Sequence, residues 1–159
     1  KDGYTINAYD PDEHLFLAHT SVEKGCNELS SFPKILQYLV LEGNLCTFDA
    51  AYCFDSVMQR ILNAKADYCV ALKANQPTWQ KTAEKLFSSR YPSTESVSKV
   101  DKSRGYVETY RAWVSHKTSE IDAPGLSSVI KVETEPLSEE DHRLQTRYYL
   151  SSRKASPEE

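Results

Sequence analysis

Asp49 is the residue whose type and position point most directly to chemistry. It closes a short apolar run, Leu45-Cys46-Thr47-Phe48, and Ala50-Ala51 follow it. In open α/β sheets, ligands bind beyond the carboxyl ends of the strands. A carboxylate placed there can hold Mg²⁺ or Mn²⁺, hard cations that take oxygen ligands. Such ions clamp the attacking and leaving oxygens in phosphoryl transfer. An aspartate at a strand end also caps a following helix or opens a turn, so residue type leaves both roles open.

Lys73-Ala74-Asn75-Gln76 follows a second apolar run, Asp67 to Leu72. If the two runs are parallel strands, this segment lies at the same sheet edge as Asp49. Lys73 could then meet a phosphate, and Asn75 and Gln76 could hydrogen-bond phosphates or bases. A polar loop capping the helix that starts near Pro77 accounts for the same residues. Lys99, Lys102, Arg104 and Arg111 interleave with Tyr106, Tyr110 and Trp113, a mixture that can grip a nucleic-acid strand. A two-faced strand with solvated charges explains that stretch equally well.

Other chemistries find little support. His14, His19, His116 and His142 are scattered, without ligand spacing, and read as surface or structural residues. Cys26, Cys46, Cys53 and Cys69 form no Cys-x-x-Cys pair and fit no common zinc pattern. Cys46 and Cys69 sit in apolar runs and read as small buried hydrophobes. There is no Gly-x-Ser-x-Gly elbow and, with five glycines, no Gly-rich phosphate loop.

The elements that must position these residues can be read from periodicity. Tyr4 to Tyr9 and His14 to His19 read as strands joined by the turn Asp10-Pro11-Asp12-Glu13. Ser30 and Ser31 before Pro33 suggest a helix start, with Leu29, Phe32, Leu36 and Leu39 at helical spacing and Gly43 as the stop. Asn44 to Asp49 reads as a buried strand. Phe54, Val57, Met58, Ile61 and Leu62 give an amphipathic helix, and Asp67 to Leu72 a further buried strand. Gln76-Pro77-Thr78 opens a third helix, with Trp79, Ala83, Leu86 and Phe87 on one face. This alternation predicts an α/β sheet with parallel pairs. Tyr91 to Ser98 reads as a loop. Tyr106–Ser115, Ser127–Glu135 and Arg143–Ser152 read as strands rich in aromatic and β-branched residues.

The 159 residues amount to about one domain. A net charge of −4 argues against a surface that coats nucleic acid generally, though not against local DNA contact. No apolar run approaches the roughly 20 residues of a membrane span. No signal peptide is visible, and the cytoplasm is the simpler compartment.

Several blocks, taken in order, resemble the H-repeat-associated, ISAs-type insertion-sequence transposases. Asn7-Ala8-Tyr9-Asp10 resembles the family's second core strand. Lys24, Asn27-Glu28-Leu29 and Pro33 resemble its entry to the first helix. Thr47-Phe48-Asp49-Ala50 is similar to its Thr-Ile-Asp-Ala strand end. Asp67 to Gln76 resembles its Asp-Tyr-Val-Leu-Ala-Leu-Lys-Gly-Asn-Gln block. Arg104 to Thr109 and Arg147 to Ser152 resemble two later strands. Together the blocks cover nearly the whole chain.

The resemblance implies a ribonuclease-H-like mixed sheet flanked by helices, with residues 1–90 as a partial core and 91–159 as an antiparallel β insertion of the same domain. It implies metal-dependent DNA cleavage and strand transfer. Mg²⁺ or Mn²⁺ would be held by three acids, of which Asp49 is the second. The first belongs to an Asp-Gly-Lys strand expected before residue 1, and the third to a helix expected after residue 159. Asp2 and Glu108 are the candidates inside the chain to replace them. The isolated chain is therefore expected to be catalytically incomplete. Implied partners are transposon-end and target DNA, a homo-oligomer when full length, and no membrane, in a bacterial cytoplasm near the nucleoid. Lys73, Asn75, Gln76 and Arg104 would touch DNA. The family's Ser and Gly are Cys26 and Ala74 here, and its His and two Arg of the later strand are Arg104, Tyr106 and Tyr110. These departures put DNA contacts at those positions in question. The alternative is a catalytically inactive domain of the same fold that binds or assembles.

Overall fold

The computed structural model describes residues 5–22, 28–88, 95–101, 108–136 and 144–157. The chain divides into two compact units, Lys1–Glu42 and Gly43–Glu159.

In the first unit, β1 (Thr5–Asp10) and β2 (Leu15–Ser21) pair antiparallel, the hairpin that the turn residues predict. Asp10 builds the turn. Its Oδ1 accepts the N–H groups of Asp12 at 2.9 Å and Glu13 at 3.2 Å, so a side chain substitutes for a backbone turn partner. His14 leaves the turn at φ 55, and its ring nitrogen lies 3.2 Å from the Tyr9 hydroxyl, a local structural role. Helix α1 (Glu28–Leu36) departs from the expected boundaries. It already includes Ser30 and Ser31, so Pro33 lies inside it rather than in a first turn after a serine cap. Pro33 has no N–H to offer the Leu29 carbonyl. The helix tolerates this because Ser31, Phe32 and Ile35 are buried, and packing outweighs propensity. It ends at Leu36, well before Gly43.

The second unit is built on six strands in the order β3-β4-β8-β7-β6-β5. In chain order the elements are β3 (Leu45–Phe48), α2 (Asp55–Asn63), β4 (Asp67–Leu72), α3 (Pro77–Leu86), β5 (Glu95–Asp101), β6 (Glu108–Ser115), β7 (Ser128–Pro136) and β8 (Gln145–Ser151). The architecture is mixed α/β. The expected parallel pairing occurs between β3 and β4, with Leu45 opposite Asp67 and Phe48 opposite Val70. From β4 onward the pairs are antiparallel, because β8 returns to lie beside β4. Strands from both sides of residue 90 therefore share one sheet.

Three local expectations are corrected. β3 is a terminal strand of its sheet with alternating exposure, not a fully buried strand. Residues 95–98, read as loop, belong to β5, which pairs with β6 from Glu95↔Val114 to Asp101↔Glu108. Glu, Ser, Lys and Asp are poor strand formers, but seven paired positions along the free edge of β6 override that preference. Cys46 and Cys69 are only half-buried, Cys46 because β3 is the terminal strand and Cys69 because it alternates with the core residues of β4; among the described residues the fully buried thiol is Cys53.

The core lies on one face of β4, where Tyr68, Val70 and Leu72 alternate with half-exposed neighbours. α2 packs against β4 and buries Val57, Met58 and Ile61. Each such side chain contributes about 1.5–3 kcal/mol by leaving water. α3 buries Ala83 and Leu86, and Phe87 just past it sets its ring 6.2 Å from that of Tyr148. Polar groups inside are satisfied: the Tyr68 hydroxyl donates to the Pro124 carbonyl at 2.7 Å. Ser152 Oγ accepts the Tyr68 N–H at 3.0 Å and donates to Asp67 Oδ1 at 2.7 Å. No helix among the described residues is long and apolar enough to cross a membrane.

Candidate active site

Parallel pairing of β3 and β4 brings their carboxyl ends to one edge of the sheet, and there Asp49 meets the segment 73–76. Asp49 is in extended conformation, φ −70 and ψ 162, and leads into a 3₁₀ turn, Ala50–Tyr52. Its side chain makes no capping bond to that turn, so the carboxylate is not used as a cap. Lys73 Nζ lies 3.1 Å from Asp49 Oδ1 instead, with both side chains about two-thirds exposed, at 65% and 64%. The Lys73 ammonium, aided by the Ala50 backbone N–H, holds the Asp49 carboxyl below the usual carboxylate range. Asp49 is thus an ionised, solvent-facing carboxylate at the sheet edge.

Asn75 and Gln76 are brought to the same place, Asn75 exposed and Gln76 half-buried, and their amides bond to the backbone of the loop after β3. Asn75 Nδ2 donates to the Ala50 carbonyl at 2.8 Å, and Gln76 Nε2 donates to the Cys53 carbonyl at 2.8 Å. Gln76 stands at the N-cap position of α3 without a side-chain capping bond. Both bonds go to the backbone of the loop after β3, a role that the sequence reading did not include. No sequence pattern points to Ala50 and Cys53 as partners, because backbone carbonyls carry no side-chain signal.

The other expected residues are dispersed. Arg104 and Asp2 lie outside the described residues, as do Lys102, Tyr106 and His142. Glu108 begins β6. In the basic and aromatic stretch, Arg111 Nη2 lies 2.8 Å from Glu135 Oε2. Lys131 Nζ sits 4.6 Å from the centre of the Trp113 ring and 2.6 Å from Glu133 Oε1. Of the basic residues of that stretch, Arg111 is thus paired within the sheet. His116 Nδ1 lies 3.2 Å from Ser128 Oγ and 3.3 Å from the Ser127 carbonyl, a structural position. Unforeseen from sequence is a cleft of about 670 Å³ lined by Phe54, Asp55, Ser56, Gln76, Thr78 and Trp79. It opens beside the braced loop, where α2 and α3 both begin.

A hard divalent cation would find in Asp49 the right donor chemistry, an ionised oxygen ligand facing solvent. Among the described residues, no three His, Cys, Asp or Glu side chains gather to hold a metal ion. Asp49 fits the part of one ligand, and the described residues do not make a whole site.

The family model described as "Transposase DDE domain" matches residues 2–159. The chain belongs to this family, the DDE transposases. Among its relatives, the uncharacterized protein in the dhlA 3′ region of Xanthobacter autotrophicus is 29% identical over 97% of the chain and 54% of that protein. YncI of Escherichia coli (strain K12), provisionally named a transposase, is 31% identical over 74% of the chain and 49% of its own length. YbfD of the same strain, provisionally named an H repeat-associated transposase, is 28% identical over 67% of the chain and 43% of its length. The resemblance read from the ordered blocks is thereby borne out. The chain spans about half the length of the curated relatives it matches. No solved structure gives a significant match.

Proposed function

We propose that this chain is the central part of the catalytic domain of an insertion-sequence transposase, with Asp49 one of the acids that hold its divalent metal. One observation carries the reading. Asp49 is ionised and open to solvent at the carboxyl edge of the parallel β3–β4 pair, in a chain of a transposase family. The finer architecture we assign is ribonuclease-H-like, with 1–90 as core and 91–159 as a β insertion of the same domain. The parallel β3–β4 pair and the antiparallel run β5 to β8 are compatible with it.

The reaction read for the whole protein is in-line attack on a DNA phosphodiester, by water in cleavage and by a 3′-hydroxyl in strand transfer. Mg²⁺ or Mn²⁺ would supply Lewis-acid stabilisation of the charge developing on the phosphodiester. Asp49 offers it an ionised oxygen ligand, and the remaining acids would come from beyond the described residues. Lys73 keeps Asp49 charged and stands where a DNA phosphate would meet it, and Arg104 is assigned a second DNA contact. The substrates are transposon ends and target DNA, acted on by a homo-oligomer in the bacterial cytoplasm near the nucleoid.

In the whole protein, Asp49→Ala is expected to abolish cleavage and strand transfer while leaving circular dichroism unchanged and the melting temperature only slightly altered. Full activity in that variant refutes the reading. The competing reading, a non-catalytic binding or assembly domain, predicts a silent substitution. It also predicts equal Mn²⁺ binding by the native chain and by Asp49→Ala.

A further inference from the structure

We infer that Asn75 and Gln76 are positioning residues: they fix the turn that carries Asp49, and do not themselves bind DNA. The inference rests on the reading of Asp49 as a metal-binding acid.

The turn after Asp49 has little to hold it. It is a 3₁₀ segment of three residues, closed by Tyr52 N–H to the Asp49 carbonyl and Cys53 N–H to the Ala50 carbonyl, both at 3.0 Å. Short 3₁₀ turns have poor hydrogen-bond geometry and little stability of their own. Ala50 and Cys53 are buried, so their carbonyls depend on protein donors. Asn75 adds a second donor to the Ala50 carbonyl, which already accepts the Cys53 N–H, and Gln76 supplies one to Cys53, each across more than twenty residues of chain from the end of the neighbouring strand. Because both partners are carbonyls, which only accept, the amide nitrogens must face them. Within the same short segment, Lys73 reaches the carboxylate itself. Three contacts from 73–76 therefore hold the backbone on one side of Asp49 and its side chain. The segment is in turn closed by Gln76 N–H to the Lys73 carbonyl at 3.0 Å. A ligand carboxylate is useful only if it stays in place, since a displacement of about 1 Å can cost on the order of 100-fold in rate.

Asn75→Leu and Gln76→Met keep approximate size, remove the donor and add no charge. In the whole protein with saturating Mn²⁺, each is expected to lower the turnover of DNA cleavage by about 10- to 100-fold. DNA affinity, measured by fluorescence anisotropy without metal, should change less than about twofold, since no DNA contact is removed. In the present chain, hydrogen exchange at the Tyr52 and Cys53 amides should speed up while that of β4 stays unchanged. Asn75→Gln and Gln76→Asn, which restore a donor at altered reach, should recover part of the turnover. If DNA affinity falls as far as turnover, these side chains are DNA ligands and the inference is overturned. Unchanged turnover and exchange overturn it too. Asp49→Ala run in parallel separates the two readings. If it is inactive while Asn75→Leu is normal, only the positioning role falls. If it is fully active, the assignment of Asp49 fails and the positioning role falls with it.

Discussion

Gly125 offers a stability test whose size can be worked out from the structure. It precedes β7 at φ +63, and a Cβ added there would stand 2.8 Å from Leu62 Cδ1 and 3.3 Å from Leu62 Cδ2. Gly125→Ala therefore carries two costs. Holding alanine in the left-handed region costs roughly 1–2 kcal/mol. Pushing the end of the Leu62 side chain off its rotamer costs roughly 0.5–1.5 kcal/mol more. The stiffer unfolded chain offsets about 0.4–1 kcal/mol. The net is about 2 kcal/mol, or a fall of about 5–10 °C in melting temperature for a unit of this size. Gly43 is the internal control: at φ +80 nothing lies within 4 Å of an added Cβ, so Gly43→Ala bears the backbone cost alone, about 1 kcal/mol net. Thermal and urea unfolding followed by circular dichroism compare the two. In a Leu62→Ala background the extra cost at Gly125 should vanish. Equal destabilisation at both glycines, or no relief from Leu62→Ala, would refute the reasoning.

Three further outcomes follow from the titrating groups. The Asp49 carboxyl, held down by Lys73, should titrate higher in Lys73→Met when followed by carboxyl ¹³C shifts; identical titration in both proteins would exclude Lys73 as the cause. A carboxyl depressed in the folded state contributes stability above its unfolded pKa and loses it as pH falls through the folded value. Native and Lys73→Met stabilities should therefore differ slightly at neutral pH and converge in acid, the difference being small because the pair is exposed. The Cys53 thiol is fully buried, and burial pushes it up to about 11. It should resist a thiol reagent at pH 8 in the folded chain and react on unfolding. Rapid modification of Cys53 in the native state would show that the loop beneath Asp49 opens.

Periodicity and residue type alone located α2, β4 and α3, because an amphipathic repeat carries the information for a face that must be buried. They also located the hairpin, because Asp10 makes its turn from local atoms. The same reading placed Asp49 and Lys73 at one edge on the condition of parallel strands, which the β3–β4 register meets. Where tertiary pairing competed with local preference, the sequence was a poor guide. β5 is polar and forms because β6 presents an unpaired edge, and α1 runs through Ser30, Ser31 and Pro33 because its packing outweighs their preferences. The partners of Asn75 and Gln76 were not legible at all, since they are backbone carbonyls more than twenty residues away, brought within reach only when β3 and β4 lie side by side. Sequence thus determined which chemistry stands at the sheet edge. The tertiary structure decided which of its side chains stay open to solvent, Asp49 and Lys73, and which bond to the backbone of the loop after β3, Asn75 and Gln76, because those contacts exist only once β3 and β4 lie side by side.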